Sequence, residues 1–178
     1  MTSTTSLDDL IALGKYRWTV PLLTDLAAHN GARFIELLHR LRISRESLSR
    51  TLGATAAAGW IIRNPSHGHP LRPEYLLSAE GMRLADKATA IDAAQRTIGL
   101  QPAKLNRWSL PVVCSIAHGN QRFNDLARTL PPVGPRALSQ SLRALTEQQL
   151  VTRDLLDEYP PASSYSLTNE GWMLAKAA

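Results

Sequence analysis

Leu138, Leu142 and Leu145 recur at spacings of four and three, which places them on one stripe of a helix whose apolar side must be buried. The spacing predicts a helix over residues 136–148. Gly134 can act as its N-cap, and Pro135 falls at the first helical position, where a missing N–H costs nothing. Arg136, Ser139, Gln140 and Arg143 fall on the other side, a short polar and positive face with no acid before Glu147. Strand propensity takes over at Leu150, Val151 and Thr152 and lasts to Leu156. Tyr159, Pro160 and Pro161 then make a turn that no helix tolerates, and Tyr165, Ser166 and Leu167 form a second short strand.

The same order occurs earlier in the chain. Trp18 and Trp108 are 90 positions apart, as are Pro21 and Pro111, Leu48 and Leu138, Leu52 and Leu142, Arg63 and Arg153, Tyr75 and Tyr165, Glu80 and Glu170, and Gly81 and Gly171; Phe34 and Phe123 are 89 apart. A spacing shared across helices, turns and strands makes the chain two copies of one unit. In the first copy a helix is expected over residues 18–28, with Pro21 in its first turn, since an interior proline would cost about 3 kcal/mol. Trp18, Leu22, Leu23 and Leu26 should face one way, with Trp18 and Trp108 as core residues.

A second helix over residues 35–40 would turn Leu37, Leu38 and Leu41 inward. Ser44 would cap a third, the counterpart of the helix at 136–148. A strand at 60–64 leads to a proline-bounded loop at 65–73 containing His67, Gly68, His69 and Arg72, and a helix with Leu84, Ala88, Ile91 and Ala94 at helical spacing runs over 82–98. Ser6 and Asp9 have the form of a capping box that opens a short arm helix through Leu10, Ile11 and Leu13.

Helix, strand, turn and strand in this order resemble the recognition helix and wing of a winged helix-turn-helix domain. The region from Arg107 to Gly171 is similar to the HxlR-type transcriptional regulators of bacteria. The likeness rests on Arg107-Trp108, on Arg122-Phe123-Asn124-Asp125-Leu126, on Gly134 to Leu138, and on Pro160-Pro161 followed by Tyr165-Ser166-Leu167-Thr168 and Glu170-Gly171. The resemblance implies a mainly α fold with small β-hairpins (α+β): two tandem winged helix-turn-helix domains forming an intramolecular pseudo-dimer. The expected boundaries are an arm at 1–14, a first winged domain at 15–84, a connecting helix and linker at 85–104, and a second winged domain at 105–178.

The implied function is sequence-specific DNA binding by a regulator, a repressor being the commoner case, reading an imperfect palindrome. Arginine suits guanine O6 and N7, and glutamine suits adenine N6 and N7, so Arg136, Ser139, Gln140 and Arg143 are candidate base contacts. In the first copy the candidates are Arg45, Ser49 and Arg50, with Arg72 of the wing placed for phosphate or minor-groove contact. This copy departs from the second: Glu46 stands where Arg136 does, and Gly53 replaces Arg143. Asp157 and Glu158 make the second wing acidic, which phosphates would repel.

Composition adds less. The chain has 178 residues, 44% of them hydrophobic, a net charge of +5 and a pI near 9.8, which favours a polyanionic partner. The charge is spread evenly, with 12 basic and 9 acidic residues up to Leu100 and 8 and 6 beyond it. No apolar run approaches a membrane span and residues 1–10 lack the form of a signal peptide, so a cytoplasmic, nucleoid-associated protein is expected, with no membrane partner. Cys114 is the only cysteine, which excludes an internal disulfide. It falls off the stripe of Trp108, Val112, Val113 and Ile116 and is read as a packing residue, with a redox sensor as the alternative that the resemblance to HxlR-type regulators implies.

His67-Gly68-His69 without other ligands makes a poor metal site, and no cofactor is expected. No ordered nucleophile motif or phosphate loop points to an enzyme. The competing readings are a protein-interaction module that has lost DNA reading and a ligand-controlled regulator with an apolar pocket between domains. A small-molecule effector and a further homodimer are compatible with either.

Overall fold

A computed structural model of the chain describes residues 6–64, 74–130, 132–157 and 162–178. It is mainly helical, with short hairpins, and divides into two compact units: residues 18–92, and residues 1–17 with 93–178.

The first of these contains α2 (Thr19–His29), β1 (Ala32–Arg33), α3 (Phe34–Leu41), α4 (Arg45–Ala57), β2 (Ile61–Asn64), β3 (Glu74–Leu77) and most of α5 (Ala79–Thr97). Leu22, Leu23 and Leu26 of α2, Leu37 of α3 and Leu48 of α4 are completely buried, as the apolar spacing requires. Trp18, expected in the core, is half-buried, and so is Trp108 in the other unit. Each stands at a helix N-cap, one position before the first turn can carry its side chain inward. Leu38 and Leu41 are likewise half-buried, because the narrow inward stripe of the two-turn α3 is filled by Leu37.

The sheet of this unit has the order β1-β3-β2, all antiparallel, with Ile61 opposite Leu77 and Ala32 opposite Tyr75. A two-residue strand such as β1 has no period to detect, and nothing in the chain's pattern marks it. α2 and α3 are tied together by Arg40, whose guanidinium donates to both carboxylate oxygens of Asp25 at 2.7–3.1 Å. Those hydrogen bonds, with the carboxylate's charge, hold Arg40 above its ordinary pKa.

The other unit contains α1 (Leu7–Gly14), a short 3₁₀ turn (Pro102–Lys104), α6 (Ser109–Ala117), α7 (Phe123–Thr129), α8 (Pro135–Glu147), β4 (Val151–Leu156), β5 (Ala162–Leu167) and α9 (Asn169–Ala177). The capping box at α1 is formed: Asp9 N–H donates to Ser6 Oγ and Ser6 N–H to Asp9 Oδ2. α6 is the centre of this unit, packed by α1, α7, α8, α9 and β5. Val112 and Val113 are fully buried there. A two-stranded hairpin pairs Val151 with Leu167 and Leu156 with Ala162. The counterpart of β1 is reduced to one bridge between Arg122 and Ser164. At the place of the Asp25–Arg40 pair, α6 and α7 are joined by a hydroxyl pair, Ser115 Oγ to Thr129 Oγ1 at 3.0 Å.

Candidate nucleic-acid interface

Helix α8 begins where the sequence places it, with extended backbone at Gly134 and Pro135 in the first turn. Leu138, Ser141, Leu142 and Leu145 are buried, and this fixes which way the remaining residues point. Arg136, Ser139, Gln140 and Arg143 are all exposed on one side. Arg136 makes no ion pair among the described residues, whereas Arg143 Nε lies 2.8 Å from Glu147 Oε1, one turn on. Both side chains of that pair are solvated, so it constrains Arg143 weakly.

The seat of α8 is polar as well as apolar. Asn106 Oδ1 accepts from Ser141 Oγ at 2.8 Å, from Trp108 N–H at 2.9 Å and from Ser109 Oγ at 3.3 Å, while Asn106 N–H donates to Ser109 Oγ at 3.0 Å. Ser109 and Ser141 are fully buried. This small network pins the first turn of α6 to the middle of α8, and so holds the exposed face in one orientation. An isolated Asn and two Ser have no periodic signal, so nothing in the sequence marks this network.

Helix α4 presents the matching positions. Ser44 caps it, accepting from Ser47 N–H at 3.2 Å, and Leu48, Thr51, Leu52 and Thr55 are buried. Arg45, Ser49 and Arg50 are exposed, and so is Glu46. Arg50 forms an ion pair with Glu46 across one turn. Gly53, at the place of Arg143, faces open space. The seat differs too: Thr51 Oγ1 donates back to the Ser47 carbonyl of its own helix, and buried Thr19 Oγ1, at the place of Ser109, has no partner among the described residues.

Beside these helices, basic residues recur in both copies. Arg33 and Arg122 each stand at the N-cap of the helix preceding the exposed one, and Arg63 and Arg153 lie on the first strand of each hairpin. All four are exposed. Arg153 donates to Ser163 Oγ at 2.9 Å and 3.1 Å across the hairpin. In the sequence Arg63 and Arg153 stand out only as a pair of the repeat, 90 positions apart. Arg72, His67, His69 and Glu158 lie outside the described residues. Asp157 is exposed at the end of β4.

Cys114 is half-buried on α6, and its carbonyl accepts from His118 Nδ1 at 2.7 Å. Among the described residues no helix is long and apolar enough to cross a membrane.

The sequence pattern of HxlR-like helix-turn-helix proteins matches the chain twice, over residues 13–98 and 105–177. Among curated proteins, the chain is 38% identical over 69 residues to YvaP of Bacillus subtilis (strain 168), named an uncharacterized HTH-type transcriptional regulator, covering 39% of this chain and 64% of that protein. It is 34% identical over 65 residues to an uncharacterized HTH-type transcriptional regulator of Methanothermobacter thermautotrophicus, covering 36% of this chain and 50% of that protein. The chain thus spans between half and just under two thirds of the length of these two relatives. Among solved structures, a protein described as a transcriptional regulator of the MarR family from Enterococcus faecalis V583 is 34% identical, with 52% of this chain and 78% of that one covered and a TM-score of 0.40.

Proposed function

Since the chain belongs to the HxlR-like helix-turn-helix family, with two regions matched in tandem, we propose that it is a sequence-specific DNA-binding transcriptional regulator and acts as a repressor in the cytoplasm, on the nucleoid. The observation that carries this reading is the exposed face of α8, where Arg136, Ser139, Gln140 and Arg143 stand on a helix fixed from behind by three buried leucines and the Asn106 network. Such a face has the donors to read a major groove, and rigid support keeps them in register with base edges.

In this proposal the winged domains are residues 15–84 and 105–178, with the arm at 1–14 and the connecting segment at 85–104, and they grip one duplex as an intramolecular pseudo-dimer. Recognition helices related by a pseudo-two-fold read an imperfect palindrome with half-sites about one DNA turn apart. Arginine and lysine contacts to phosphates supply most of the affinity and make it fall steeply with salt.

The test is fluorescence anisotropy of the purified chain on genomic promoter fragments and on a nonspecific duplex, at about 50 and 200 mM salt. Fragment-selective binding that weakens by orders of magnitude over that range supports the reading. Equal affinity for promoter and control duplexes at both salt concentrations overturns it and favours a protein-interaction module.

A further inference from the structure

We infer that the two recognition helices read unlike half-sites, so that the operator is a composite of a strong half read by α8 and a weaker, chemically different half read by α4. This rests on the DNA-reading function proposed above.

The argument comes from comparing equivalent positions of the two copies. At five exposed positions α4 carries Arg45, Glu46, Ser49, Arg50 and Gly53, whereas α8 carries Pro135, Arg136, Ser139, Gln140 and Arg143; only the serine is shared. The flanking arginines do not diverge in this way: Arg33 and Arg63 of the first copy have Arg122 and Arg153 at the corresponding places of the second. Phosphate contacts set register and orientation without reading sequence, and base contacts specify. A chain that keeps its flanking cations and replaces its groove-facing side chains keeps the docking and changes the text that is read.

The replacements have definite chemistry. Arg136 is unpaired among the described residues and offers a bidentate donor to guanine; its counterpart Glu46 is an acceptor and suits the N4 amino group of cytosine. Gln140 suits adenine, while its counterpart Arg50, paired across one turn with the solvated Glu46 carboxylate, suits guanine. The expected half-sites therefore differ at two base pairs: guanine against cytosine at the 136/46 position, and adenine against guanine at the 140/50 position. The α4 half is weaker for two reasons. Gly53 contributes nothing where Arg143 adds a cation, and Glu46 puts a negative charge, which DNA repels, where Arg136 puts a positive one.

The experiment is selection of duplexes from a random pool by the full chain, with the recovered motif sequenced, followed by anisotropy on synthetic duplexes. Arg136→Ala assigns the α8 half, because it relaxes the preference at one base pair there only. The expected motif has two unlike halves, and replacing the α4 half by a second copy of the α8 half weakens binding by about 10-fold or more. The double variant Glu46→Arg with Arg50→Gln carries the α8 pair on α4, and reverses that preference; the changed positions are exposed, and circular dichroism checks that the fold is kept. A palindromic motif selected by the unaltered chain, a motif with no second half, or a double variant that selects the original motif each overturn the inference while leaving the DNA-reading function standing. Failure to enrich any motif, with equal binding to all duplexes, overturns the function itself.

Discussion

A β-carbon on Gly171 would lie 2.1 Å from the carbonyl oxygen of Leu150, so α9 meets the start of β4 at a distance that only glycine permits. The first copy has the same joint, with Gly81 against the Trp60 carbonyl, where a β-carbon would lie 1.9 Å from the oxygen. Each joint is clamped by one hydroxyl. Thr168 Oγ1 donates to Gln149 O at 2.7 Å and accepts from Gly171 N–H; Ser78 Oγ does the same between Gly59 O and Gly81 N–H. The clamp fixes the hairpin relative to the helix that follows it, and with it the base of the wing.

Gly171→Ala should therefore lower stability by about 2 kcal/mol or more, since backbone must move to accept the methyl group. Gly53→Ala is the opposite case: nothing lies within 4 Å of its β-carbon position, and replacing glycine in a helix interior stabilises by about 0.5–1 kcal/mol. Thermal melts of the two variants beside the unaltered chain should shift in opposite directions. A Gly171→Ala chain that melts with the parent would show that the joint yields freely.

Gln149 has φ of 57°, in the left-handed region, and its counterpart in the first copy is Gly59, with φ of 77°. A side chain at such a helix-terminating position costs more than glycine does. Gln149→Gly should stabilise the second unit by about 0.5–1 kcal/mol. Since Thr168 bonds to the carbonyl at 149 and needs no side chain there, DNA binding should be unchanged. A denaturant titration that shows no gain would mean that the unfolded-state entropy of glycine offsets the relieved strain.

The periodic parts of the molecule were legible in the sequence and the solitary parts were not. Leu138, Leu142 and Leu145 define α8 and its exposed side because a stripe has a period. The repeat displayed the second hairpin twice over, through Tyr75 with Tyr165 and Gly81 with Gly171. β1 has two residues and no period, and the Asn106 network joins residues 35 apart in sequence, so neither could be seen before folding. Trp18 and Trp108 misled for a related reason. Their size argues for the core, but their place at N-caps leaves them half-buried.

Asn106 is the point at which the two seats can be compared by mutation. Asn106→Ala leaves the hydroxyls of buried Ser109 and Ser141 without their acceptor, which should cost about 1–3 kcal/mol. It should also blur the base preference of α8, because the helix loses its orientation while keeping its surface. Thr19→Val tests the converse in the first copy. Its hydroxyl is buried without a partner among the described residues, so an isosteric apolar replacement should be neutral or stabilising by about 1 kcal/mol. Chemical denaturation reads both. Equal losses at Asn106 and Thr19 would remove the distinction between a satisfied seat and an unsatisfied one.

Arg63 and Arg153 should behave differently from Arg136 when each is replaced by alanine. The first two lie on the hairpin strands, and in the proposed docking they contact backbone phosphates, so their loss should weaken binding to every duplex alike. For each contact removed, the slope of log affinity against log salt should become shallower by about 0.9. Arg136 points from the exposed side of α8, and its loss should cost about 1–3 kcal/mol on the preferred duplex and much less on a nonspecific one. Anisotropy titrations of the three variants across a salt series separate the two roles, because one kind of contact moves the slope and the other moves the gap between duplexes. An Arg136→Ala chain that lowers both duplexes equally would place that residue on the phosphates and leave base reading to Gln140 and Arg143.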